Sequence, residues 1–93
     1  MNETVTVGQF VSEAMASAKR RVAKSRNAAG YSAMYSEIAT ALLIEYPHLT
    51  LPERHTVFGT FSGEADFLLV RTGIDSKQGL GGAARILGMR CDV

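Results

Sequence analysis

The segment "ADFLLVRTG", residues 65–73, decides the fold class. Phe67, Leu68, Leu69 and Val70 suit a buried strand as well as a buried helix, and periodicity does not separate the two over so short a run. A strand here needs a partner, because an isolated strand leaves its backbone N–H and C=O groups without hydrogen bonds. No second strong strand pattern is present elsewhere in the 93 residues. Ser62, just upstream, supplies a helix cap. The segment therefore reads as helix, and the chain as all-α: a compact bundle of four to five short helices, a single helical domain over residues 1–93.

The punctuation on either side agrees. A first helix begins near Thr6, which stands three residues before Gln9 as in a capping box. Val11, Met15, Ala18 and Val22 then recur at helical spacing, Ala14 widens that stripe, and Gly30 is the expected stop. A second helix spans about Ser32 to Tyr46, with Met34, Ile38, Ala41 and Leu42 on one face, Tyr35 and Tyr46 on its flank, and Pro47 as terminator. "TLPE" (residues 50–53) opens a third, with Thr50 as cap and Glu53 at the capping-box position. Gly59 and "SGE" (residues 62–64) are expected to keep that helix short. The last helix starts near Asp75, with "DSKQ" as a further capping box, and ends at Gly88.

Composition bounds the function. At 10.0 kDa, surface scaling leaves about 5,200 Å² exposed of roughly 14,500 Å² in the extended chain, so roughly 64% is buried. That is enough for one modest core, which a homodimer would extend by covering an exposed apolar face. The longest uncharged apolar run, "IATALLI" (residues 38–44), is too short to span a bilayer, so no membrane association is expected. The N-terminus lacks a basic stretch followed by an apolar one, and the single cysteine, Cys91, makes no internal disulfide, so a cytoplasmic setting is expected. Net charge is +1, yet five of the ten basic residues (Lys19, Arg20, Arg21, Lys24 and Arg26) fall in "KRRVAKSR". That local basic patch is the clearest charge asymmetry.

"SKQGLGGAARILGM" (residues 76–89) is the most motif-like stretch. Gly79, Gly81 and Ala84 fit G-x-G-x-x-[GA], but a dinucleotide site needs a preceding strand, a crossover helix and a ribose-binding acid, and only nine residues follow Ala84. The stretch "GGAARILGM" resembles the first helix and turn of Fis- and NtrC-type helix-turn-helix domains, at Ala83, Ala84, Ile86, Leu87, Gly88 and Met89. The likeness covers about ten residues. In that family a recognition helix follows and enters the major groove. Here only "RCDV" follows, so the resemblance implies DNA binding only with a recognition helix supplied by a partner. Small residues before a glycine stop also suit a helix packed closely on its neighbour.

Chemistry is poorly provided for. His48 and His55 are seven residues apart without a thiol or acidic ligand set beside them, so no metal and no cofactor is expected. No G-x-S-x-G elbow is present, and Glu64 and Asp66 face apart on a helix. No catalytic residue is therefore assigned, and the chain reads as non-enzymatic. Most aromatic residues (Tyr31, Tyr35, Tyr46, Phe58, Phe61, Phe67) are core candidates. Phe10 lies off its stripe toward the basic side, where an aromatic beside arginines suits a binding hot spot.

The expectation is a small protein-binding module. Its partner is another protein, such as a nucleic-acid-processing one, and its role that of a regulator or inhibitor like those phages and mobile elements encode. Phe10, Lys19, Arg20, Arg21, Lys24 and Arg26 form the partner-binding set. The alternative is a small DNA-binding regulator using the same basic helix and the partial helix-turn-helix.

Overall fold

Each helix starts and stops for local reasons. A computed structural model describes residues 6–22 and 27–89. Thr6 and Gln9 form the expected capping box: the Gln9 N–H donates to Thr6 Oγ1 (3.1 Å), and the Thr6 N–H donates to Gln9 Oε1 (3.1 Å). α1 then runs Val7–Val22 and buries Val11, Met15 and Ala18, as the stripe predicts.

α2 spans Ala28–Glu45. Gly30 does not stop a helix but lies in the first turn of this one. Asn27 caps it, accepting from the Gly30 N–H at 2.7 Å. An asparagine cap outweighs an isolated glycine because it satisfies a donor that would otherwise be left over at the helix start. The buried face is broader than expected. Tyr35 is fully enclosed rather than on the flank, and Ala39 takes the interior place expected of Ala41, which is exposed.

α3, Leu51–Thr72, is the longest helix. Thr50 and Glu53 form its capping box, and Gly73, at φ 76°, ends it. Its length corrects the expectation of a short helix. Gly59 and Gly63 sit inside it without breaking it, and Ser62 caps nothing. Glycine weakens a helix interior by about 1 kcal/mol relative to Ala, which packing of Val57, Phe61, Ala65 and Leu68 offsets.

The last segment is a 3-10 turn, Lys77–Gly79, leading into α4, Leu80–Ile86. The helix thus begins later than Asp75. The Asp75 carboxylate instead accepts from the Lys77 N–H two residues on (3.2 Å), a local turn rather than a capping box. Gly88 ends it as expected: at φ 75° it lets its own N–H reach the Arg85 carbonyl (3.0 Å) and the Met89 N–H reach that of Ala84 (2.8 Å).

Four α-helices and the 3-10 turn make up the regular structure of the described residues, with no strand among them. α2 is the hub, packed on α1, on α4 and on the 3-10 turn; α3 lies against α1, α4 and the same turn. The radius of gyration is 13.0 Å, against about 12.3 Å for a compact chain of this length. Tyr35, Phe61, Met34, Leu42 and Leu87 fill the centre, with the Tyr35 and Phe61 rings 5.3 Å apart.

Candidate interaction surface

The basic segment divides between a half-buried role and an exposed one. Lys19 is half-buried and donates to Glu64 Oε2 at 2.6 Å, an ion pair that ties α1 to α3. Arg20 and Arg21 are exposed in the last turn of α1, and no ion pair joins them to a described residue. Cations there are favoured by the negative end of the helix dipole. Lys24 and Arg26 lie outside the described residues, as does Cys91.

Phe10 is separated from this basic end. It is half-buried, its ring edge-on to Tyr46 with centroids 5.7 Å apart. At 1.5 Å per residue it stands about 15 Å along the axis from Arg20. Phe10 therefore helps pack α1 on the end of α2, and the exposed arginines form a separate patch.

The glycine-rich stretch serves packing. A Cβ on Gly79 would stand 1.8 Å from Ser32 Oγ, and one on Gly82 3.0 Å from Ser36 Oγ. Ala83, Ala84 and Leu87 are buried beside them. No strand precedes these glycines among the described residues, so the surroundings of a dinucleotide loop are missing there. His48 and His55 are both exposed, and among the described residues no three His, Cys, Asp or Glu side chains converge as metal ligands.

One surface escaped the reading of the sequence. Phe67, expected in the core, is 52% exposed; Val70 is 84% exposed, and Leu69 and Leu51 also face solvent on α3. The Arg71 guanidinium lies 5.2 Å from the centre of the Phe67 ring. Beside this face a groove of about 160 Å³ runs between α1 and α3, lined by Val7, Val11, Thr56, Val57 and Thr60, with Glu53 at its end. The Thr50 N–H and hydroxyl both donate to Glu53 Oε1, which holds this carboxylate below its ordinary range and ionised. A signal was present in "HTVFGTFSG", residues 55–63, which contains no Lys, Arg, Asp or Glu. A solvent-facing helix normally carries charge on its outer side.

No family model, no curated protein and no solved structure matches this chain significantly.

Proposed function

We propose that the protein is a non-enzymatic module that binds another protein, and that the exposed end of α1 at Arg20 and Arg21 is part of the contact. The observation that carries this reading is the pair of arginines itself. Both stand in solvent without an acidic partner among the described residues, while their neighbour Lys19 is used within the fold. Arginine is over-represented among residues that dominate protein interfaces, because its planar fork grips carboxylates at two points. An acidic partner surface suits it. Lys24 and Arg26 extend the same positive charge along the sequence. A regulator or inhibitor, acting by contact with its partner, is the role such a charged surface suits.

The test compares affinity capture by the wild-type chain and by the double variant Arg20→Glu/Arg21→Glu, each with and without nuclease. A protein retained by the wild type after nuclease treatment, and lost by the variant, is the expected result. Retention that disappears with nuclease would move the reading to the DNA-binding alternative. Direct titration with duplex DNA would then show affinity falling steeply between about 50 and about 200 mM salt.

A further inference from the structure

Five large hydrophobic side chains stand exposed among the described residues, and four of them (Leu51, Phe67, Leu69 and Val70) belong to α3. They lie at its two ends. The middle of the outer face holds Gly59 and Gly63, one turn apart, and a Cβ on either would meet nothing within 4 Å. Neither glycine has a positive φ, so neither is there for its conformational freedom. Glycine is among the poorest helix formers, and among the described residues nothing uses the space these two leave open. An approaching backbone would use it.

We propose that α3 is the seam of a symmetric homodimer. Two copies cross antiparallel at Gly59 and Gly63, and Phe67 of each copy enters the groove between α1 and α3 of the other. A two-fold axis level with Phe61 brings the C-terminal end of one α3 over the N-terminal end of its mate. Phe67 then falls level with His55 and Thr56, Val70 with Pro52, and Arg71 with Leu51. Such an axis also sets each lateral side of the helix against the same side of its copy. At 100° per residue, Phe67 and Arg71 share a lateral side with Glu53, Thr56 and Thr60. The ring therefore arrives on the side where the groove lies.

Size and charge select this occupant. The groove measures about 160 Å³, and an apolar cavity of about 150 Å³ is large enough to take up benzene. Arg71, held over Phe67, travels with the ring and comes beside Glu53 at the groove's end. A parallel two-fold would instead set each lateral side against the opposite one, and Phe67 and Arg71 would miss the groove and Glu53. The area sets the strength. α3 is about 33 Å long, and a contact strip about 10 Å wide buries roughly 330 Å² on each copy. Over the two copies that is about 660 Å², short of the roughly 1,200 Å² total of stable complexes, so the dimer is weak and exchanges rapidly. It extends the protein-binding reading to a second surface, and its test does not depend on Arg20 or Arg21.

Sedimentation velocity on the full chain, from about 10 µM to about 1 mM, reads the association directly. The wild type should shift from monomer to dimer across that range. Phe67→Ala, at an exposed position, should raise the midpoint concentration about tenfold or more. Arg71→Glu should weaken the dimer, and Arg71→Lys should retain most of it. Gly63→Leu should remove dimerisation while the monomer melts at or above the wild-type temperature, because its site is open. A wild type that stays monomeric at about 1 mM overturns the proposal, and so does a dimer indifferent to Phe67→Ala and Gly63→Leu.

Discussion

Gly79 approaches Ser32 so closely that a Cβ on the glycine would stand 1.9 Å from the serine Cβ and 2.7 Å from its Cα. Backbone meets backbone there, and this contact, with Gly82 against Ser36, seats the C-terminal segment on α2. Gly79→Ala is expected to cost about 2–3 kcal/mol, because relief requires a backbone shift and not a rotamer change. Gly81→Ala is the control. It lies in α4 with no described residue within 4 Å of an added Cβ, and should gain up to about 1 kcal/mol from helix propensity. Urea denaturation of the three proteins side by side would check both signs. An unchanged midpoint for Gly79→Ala would contradict the close approach.

Arg54 joins three parts of the chain. Its Nε donates to the Leu49 carbonyl at 3.0 Å and its Nη1 to the Leu87 carbonyl at 2.8 Å, so one guanidinium fastens the α2–α3 connection to the end of α4. Both bonds are charge-assisted and partly buried, and their loss leaves carbonyls short of a donor. Arg54→Ala should destabilise the fold by about 2–3 kcal/mol. Arg54→Lys should recover little of this, since one ammonium cannot reproduce the two-pronged geometry. Thermal melts of the two variants would coincide within about 3 °C if that is right.

The helical class was legible because caps are local: Thr6, Thr50 and Gly88 act within a few residues of themselves, and all three perform as their neighbours in sequence imply. What the sequence hid depends on distance. Gly59 and Gly63 read as breaks because a glycine's propensity is visible locally, whereas the packing of Phe61 and Ala65 that overrides it comes from other helices. Lys19 looked like one cation among five until Glu64, 45 positions away, came beside it. Phe67 looked like core because hydrophobicity alone does not say which face of a helix has a neighbour. The basic cluster was plain in the sequence; its division between a structural lysine and two exposed arginines was not.

Tyr35 and Ser76 are both sealed from solvent, and among the described residues neither hydroxyl has a partner in hydrogen-bonding geometry. Burial raises the Tyr35 phenol above its ordinary value, and the charge of Glu64 adds to it. The folded state therefore holds this proton more tightly than the unfolded one. Its contribution to stability is intact below about pH 10 and is lost as pH rises from there through the raised folded value. Tyr35→Phe should flatten that alkaline loss. At neutral pH it should be neutral or stabilising by up to about 1 kcal/mol, because it removes an unpaired polar group. Melting temperatures from about pH 7 to about pH 11 would separate the two effects.

The Lys19–Glu64 pair sets a structural cation apart from the surface ones. Both side chains are partly exposed, at 38% and 23%, so solvent screens the pair and its worth is about 0.5–1 kcal/mol. A double-mutant cycle on Lys19→Met and Glu64→Gln should return a coupling of that size, falling as salt is raised. Arg20→Ala and Arg21→Ala should each change stability by less than about 0.5 kcal/mol, since neither is paired with a described residue. Partner capture should show the reverse order, weakened by the arginine variants and little affected by Lys19→Met. If Lys19→Met abolished capture while the arginine variants did not, the contact would lie on the α1–α3 side of the helix, and the exposed arginines would be no more than a solvated helix end.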